Sequence, residues 1–444
     1  MKILLVQPKM NKRPMDTDLK TRMSPPLALL TLLNLTLGGH ETAIINENLE
    51  PIDYDCGADL VGITITLDVM PRACQIAAEF RTRGIPVVAG GIHVTCCPEE
   101  CLPHFDAICI GPAERVWAGL IRDAQSGALL REYCDTKGFR GDEIVSPLYG
   151  SIEQKKYLYT NVVLTGRGCP NRCSFCYNSC KNRLYTRRPV ANVINDIKAL
   201  GTRHILFIDD NFIGSPQYTF ELLTKIKEMN LIWSAAVTMN ILDYPDLLDL
   251  MSETGCRSLF IGFESINPES LESVNKNNKV TKYEALVEAI HSRGIMINAS
   301  MVFGLDGDDK QTFQRTLDWL VKMRIETLTS HILTPYPGTE LHRNMKAAGR
   351  ITDYDLGKYN TSNVVFKPLG MTADELYQGY RWMYQQFYSF KNIIQRFPQN
   401  RTQCKSYLLF NLLYRKFGRF TETLARLVPM RILGKLAAKI SYRV

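Results

Sequence analysis

Gly166-Arg167-Gly168-Cys169-Pro170-Asn171-Arg172-Cys173-Ser174-Phe175-Cys176-Tyr177 lies directly behind a short β-rich run at 162–165. Three cysteines within eight residues of one loop can wrap a single cubane iron–sulfur cluster, because thiolates are the protein's preferred ligands for such clusters. Three ligands leave the fourth iron open. The competing readings are coincidence among abundant cysteines and a zinc site, which needs a fourth donor that Cys180 could supply. The order C-x3-C-x2-C with an aromatic at Phe175 favours the cluster.

Moving outward, β-rich runs at 162–165, 204–208, 232–236, 258–263, 298–303 and 327–333 alternate with helical patterns near 189–200, 217–229, 245–254, 282–292 and 312–323. Such alternation predicts a parallel sheet. Six βα units fit a partial (β/α)6 TIM-type barrel better than a closed eight-unit one, with the chemistry expected at the C-terminal strand ends. Residues 1–145 repeat the pattern, with strands at 2–6, 42–46, 60–66, 86–89 and 107–110 and helices at 26–37, 70–83 and 113–124. They predict a Rossmann-like α/β domain that binds ligand beyond its strand ends, at the switch in strand order. The stretch 135–156 reads as a linker, the barrel as 157–345, and 350–444 as a helical extension opened by Thr372-Ala373-Asp374-Glu375.

Cys169-x3-Cys173-x-Phe175-Cys176 on a strand-to-helix loop resembles the signature of the radical S-adenosylmethionine superfamily. The resemblance implies a [4Fe–4S] cluster on Cys169, Cys173 and Cys176, with S-adenosylmethionine chelating the open iron by its amino and carboxylate groups. One electron then breaks its C–S bond and gives a 5′-deoxyadenosyl radical. The resemblance further implies cofactor contacts at Phe175, at Asp209 and Asp210 near the amino group, and at Glu264 and Ser265 near the ribose and carboxylate. Asn298 follows on the fifth strand, and Pro337 and Gly338 lie near the adenine. Taken singly these are ordinary features, since an Asp-Asp pair often caps a helix and Pro-Gly often makes a turn.

A parallel-sheet domain ahead of such a barrel resembles the cobalamin-binding subfamily, which includes hopanoid methylases and anaerobic tetrapyrrole cyclases. It implies cobalamin at Thr64, Thr66, Gly90, Gly91 and His93, although glycines at a strand end also serve plain turns. The loop at 8–24 contains no histidine, where many cobalamin domains carry an Asp-x-His-x-x-Gly ligand loop. Members of the radical subfamily often lack it and bind cobalamin without protein ligation. The implied reaction is methylation of an unactivated carbon of an apolar, lipid- or isoprenoid-like small molecule, with ring closure, hydroxylation or carbon–carbon coupling as the alternative chemistry. Nothing in the pattern singles out an acid or base. A flavodoxin or ferredoxin is the expected electron donor.

The N-terminal apolar run is too short for a signal peptide, and no window approaches the roughly 18 apolar residues of a membrane span. Thirteen cysteines without a disulfide-scaffold spacing agree with a reducing compartment. A cytoplasmic protein is expected. Its net charge of +8 is local, because residues 401–444 carry +9 and the remainder −1. Those cations interleave with Tyr407, Leu408, Phe410, Leu412 and Leu413, then Leu424, Leu427, Ile432, Leu433 and Leu436. The pattern predicts peripheral contact with the inner face of a membrane. A basic stripe also suits phosphates, yet the aliphatic content favours lipid over nucleic acid.

Overall fold

The computed structural model describes residues 1–416, apart from 14, 15, 17, 37, 154, 181–183, 401 and 402, and beyond them only Ile432. Most of the basic tail therefore lies outside the described residues.

The first sheet contains β1 (Lys2–Gln7), β2 (Glu41–Asn46), β3 (Leu60–Thr64), β4 (Val87–Gly90), β5 (Ala107–Ile110) and β6 (Glu132–Cys134). Every pair is parallel, in the order β2-β1-β3-β4-β5-β6. Successive side chains of β1 enter different cores. Ile3 and Leu5 pack with Leu29 of α1 (Leu27–Leu35) and with Trp117 and Leu120 of α5 (Trp117–Gln125). Leu4 and Val6 pack with Ala73, Ile76 and Phe80 of α2 (Met70–Thr82). Burial on both faces is why these strands read as continuous apolar runs. Two short helices, α3 (Ile92–Cys96) and α4 (Pro98–Cys101), follow β4. Strand β6 was not legible in sequence, because in its three residues only Tyr133 is buried.

The second sheet runs β14-β13-β12-β11-β10-β7, again all parallel and open. Its strands are β7 (Val162–Val163), β10 (His204–Phe207), β11 (Ile232–Val237), β12 (Cys256–Glu264), β13 (Met296–Phe303) and β14 (Thr327–Ile332). Outside it lie α6 (Val190–Leu200), α7 (Pro216–Ile226), α8 (Pro245–Glu253), α10 (Tyr283–His291) and α11 (Thr312–Lys322), with the shorter α9 (Pro268–Glu272) and α12 (Glu340–Ala347) at strand ends. Outward residues such as Phe207, Trp233, Ile261 and Met301 form the main core. Leu206, Ser234, Ala236, Phe260 and Asn298 instead line an inner cavity of about 800 Å³. Between β7 and β10 a two-stranded antiparallel ribbon, β8 (Gly166–Arg167) and β9 (Thr186–Arg187), had no sequence signal.

An open barrel leaves edge strands with unpaired backbone groups. At β14 the edge is met by α13 (Ala373–Phe387), which opens at the expected Thr372 with a capping box to Glu375. The Tyr384 hydroxyl accepts from Ser330 N at 2.9 Å and donates to Ser330 O at 3.2 Å. Tyr388 treats Leu328 in the same way. Helices α14 (Phe390–Gln395) and α15 (Cys404–Lys416) continue along this edge, where Asn411 donates to Glu326 O.

Arg188, almost fully buried, bonds Asp196 at 2.7 Å together with Leu164 O and Ser146 Oγ. Removing one partner of a buried pair strands the other charge. Asp196→Ala is expected to destabilise the barrel by about 3–5 kcal/mol, read from the urea midpoint of tryptophan fluorescence; an unchanged midpoint would show that the guanidinium finds other compensation.

Candidate functional site

The segment between β8 and β9 carries the three thiols, and it is held from several sides. Gly168 has φ +78°, and a Cβ there would lie 1.8 Å from Leu184 O, so only glycine fits the close approach of the ribbon. Ser174 N donates to Val274 O, Leu341 N donates to Ser174 O, and Asn275 Nδ2 donates to Arg172 O. Asp210, pushed up from its ordinary value by burial, is hydrogen-bonded by the Asn178 side chain and Gly168 N. Asn211 hydrogen-bonds Cys169.

Burial pushes all three thiols upward, Cys176 to about 12. They become good ligands when a positive centre displaces their protons. Among the described residues no three of Cys169, Cys173, Cys176 and Cys180 lie within 4.8 Å of one another. Three thiols on one loop with a fourth position left open are the donor set of a polynuclear iron–sulfur centre.

The remaining expected residues are dispersed over the barrel. Asp209 is occupied internally, since Thr165 N and Oγ1 and Arg187 Nη1 all donate to it. Glu264 sits at the end of β12 at φ +64° beside a register shift, and Lys276 Nζ donates to it at 2.9 Å. Burial, which would lower Lys276, is outweighed there by Glu264 and then Cys173, so this ammonium is held charged. Ser265 accepts from Asn267 N, Asn298 lines the inner cavity and accepts from Thr329 Oγ1, and Phe175 packs against the main core. Pro337 belongs to the turn before α12, and Gly338 abuts Cys96 O and Cys97 Sγ of the first domain.

In the first domain Thr64 pairs with Gly90 at the strand tips. A Cβ at Gly91, where φ is +109°, would meet Ile65 O at 2.7 Å, so the β3–β4 contact alone requires glycine. Thr66 faces a cavity of about 510 Å³. This cavity opens at the β1/β3 switch in strand order, and Met10, Asn11, Asn48, Leu67 and Asp68 line it from below. Tyr177 and Tyr336 close it from the barrel side, stacked 4.7 Å apart. The Tyr177 hydroxyl is buried without a hydrogen-bond partner, an arrangement that costs about 1–3 kcal/mol unless a ligand supplies one. His93 lies fully buried behind the strand tips, its pKa lowered to about 4 by burial.

Sequence reading passes over Lys276, Arg187 and Tyr177. Lys276 has no local signal, because its partner is 12 residues away across a β-strand end. Tyr177 had one, its place directly after Cys176.

A radical SAM superfamily profile matches residues 163–320, a B12 binding domain profile matches 35–121, and a domain of unknown function matches 339–433. Bacteriochlorophyllide d C-12(1)-methyltransferase of Chlorobaculum tepidum is 30% identical over 410 residues, covering 89% of each chain. Hopanoid C-2 methylase of Rhodopseudomonas palustris is 28% identical over 355 residues, covering 74% of this chain and 66% of its own. Among solved structures, the radical S-adenosylmethionine methyltransferase TsrM from Kitasatospora setae, with cobalamin and [4Fe-4S] cluster bound, shares the fold at TM-score 0.63 and 18% identity, covering 98% of this chain and 99% of that one. OxsB with aqua-cobalamin bound gives a TM-score of 0.66 at 14% identity, covering 99% and 75%.

Gly168→Ala is expected to lose most iron and sulfide after anaerobic reconstitution while keeping its circular dichroism; full iron content in this variant would show that the ribbon does not govern the thiol loop.

Proposed function

The chain belongs to the cobalamin-binding radical S-adenosylmethionine enzymes, and from that membership we propose that it methylates an unactivated carbon of an apolar, lipid- or isoprenoid-like small molecule. When bound, the cluster and S-adenosylmethionine supply a 5′-deoxyadenosyl radical for hydrogen abstraction, and cobalamin supplies the methyl group.

The observation that carries the proposal is the 510 Å³ cavity at the β1/β3 switch point, closed by Tyr177 one residue beyond Cys176. A planar, amide-fringed ligand fits such a wall of stacked aromatics with asparagine and threonine groups around it. Cys169, Cys173 and Cys176 would hold the cluster on the other side of Tyr177. The Glu264 carboxylate and the Lys276 ammonium would present one negative and one positive group near Cys173 to the zwitterionic end of S-adenosylmethionine, with Ser265, Asn298 and Phe175 around them. Asp209 and Asp210 would act by fixing the loop. Thr64, Gly90 and Gly91 would shape the floor of the cobalamin cavity, and Thr66 would contact the ligand. Leu206, Ala236, Phe260 and Met296 share the inner cavity with Ser234, Ser258 and Asn298, a lining that suits a largely apolar molecule carrying a few polar groups. The chain's own task is then to align the groups and exclude water. Its single electron would come from a flavodoxin or ferredoxin.

Anaerobic protein supplied with methyl-labelled S-adenosylmethionine, strong reductant and an isoprenoid-rich lipid extract is expected to yield 5′-deoxyadenosine and a labelled lipid. Cys173→Ala should abolish both. Deoxyadenosine with an unlabelled, ring-closed or hydroxylated product would replace methylation by the alternative chemistry.

No helix among the described residues is long and apolar enough to cross a membrane. We place peripheral membrane contact at the C-terminal edge, supported by exposed Phe390, Ile394, Leu408 and Leu412 and by the basic residues that follow in the sequence. Tyr407 and Asn411 on the same helix are buried, so α15 both anchors to the barrel and presents a face. Leu408→Glu/Leu412→Glu is expected to reduce flotation with anionic vesicles about tenfold without changing the melting temperature; unchanged flotation would remove lipid contact from this edge.

A further inference from the structure

His93, Cys97 and Glu100 bring a ring nitrogen, a thiol and a carboxylate oxygen within 4.8 Å of one another. The sequence spacing explains the convergence. Two consecutive turns meet at Cys97, whose N donates to His93 O at 2.8 Å and whose carbonyl accepts from Glu100 N at 3.2 Å, and they bring the three side chains together.

His93 is fully buried, and neither ring nitrogen has a hydrogen-bond partner. A buried imidazole in that condition is costly unless something else binds it. Its Nε2 lies 3.7 Å from Glu100 Oε2, too far for a hydrogen bond. It is instead close to the edge of a tetrahedron whose centre sits about 2.0–2.2 Å from each donor. Cys97 Sγ completes the face and lies against the barrel loop, 3.0 Å from where a Cβ at Gly338 would stand.

From this geometry we infer that His93, Cys97 and Glu100 bind a divalent transition-metal ion of the zinc type, separate from the three-thiol loop. Imidazole, thiolate and carboxylate are the donors zinc takes, and three protein ligands leave one position for water. The ion would fasten α3 and α4 behind the strand tips, where the first domain meets the turn at Gly338. Lys346 acts on Glu100 from the barrel side, so an ion pair is the rival use of that carboxylate. The inference does not depend on the methylation reading.

The test uses full-length protein already loaded with cluster and cobalamin, titrated with zinc against a chromophoric chelator, with iron, cobalt and zinc counted after desalting. One zinc per chain without loss of iron is expected. Cys97→Ser and Glu100→Gln should each weaken zinc binding, roughly a hundredfold for the serine variant, and zinc should raise the melting temperature of the parent but not of Cys97→Ser. Zinc X-ray absorption should show one sulfur among nitrogen and oxygen donors. Equal zinc affinity in parent and Cys97→Ser, zinc uptake matched by iron loss, or an all-sulfur shell would overturn the inference. Should Cys97→Ser fold poorly, the exposed Glu100→Gln position and the absorption spectrum of the parent still decide it.

Discussion

A loop with three thiols can present them to one inorganic centre only if the backbone around it is over-determined, because a free peptide of that length would pay conformational entropy at every residue. Here the restraint comes from elements that are themselves part of the barrel. The β8–β9 ribbon closes the loop at its base, and Arg187 ties that ribbon to the tip of β10 through Asp209 and Asn211 O. Asp210 reaches Gly168 from the same strand end. Val274 and Leu341 hold the middle of the loop from two further units. The rest of the arrangement, including the position of Tyr177 at the domain boundary, follows from this bracing.

The two parallel sheets then solve one problem together. Each directs its C-terminal strand ends, where an α/β fold accepts ligands, toward the other. Arg167 pairs with the almost buried Glu114 at 2.5 and 3.0 Å, so the ribbon that closes the thiol loop is also fastened to the loop after β5. Leu27, Leu30 and Val162 form a small shared core nearby. A cavity bounded by both domains keeps its shape only while these contacts hold.

Much of this was legible in sequence, and the exceptions have physical reasons. The strands of the first sheet announce themselves because burial on both faces enforces apolar runs, as in Ile3, Leu4, Leu5 and Val6, and those of the second by β-rich runs that alternate with helical patterns. The thiol spacing and the capping box at Thr372 are local signals. Strand β6, the ribbon and the edge-sealing tyrosines are not, since each depends on a partner distant in sequence; Tyr384 meets Ser330 across 54 residues. Strand-end residues were visible as a set while their individual partners were hidden. Asp209 is consumed by Thr165 and Arg187, and Glu264 gains Lys276, for reasons only the assembled barrel reveals.

The central claim is that the space between the β1/β3 strand ends and the Tyr177–Tyr336 pair holds the corrin beside the thiol loop. The most direct measurement is the cobalamin retained, by absorbance after desalting, on cluster-loaded Thr66→Trp protein, in which an indole fills that space from an exposed position. Stoichiometric cobalamin on the parent and about a tenfold loss on the variant, with iron content unchanged, is the expected result. Equal retention by both proteins would place the corrin elsewhere and contradict the account.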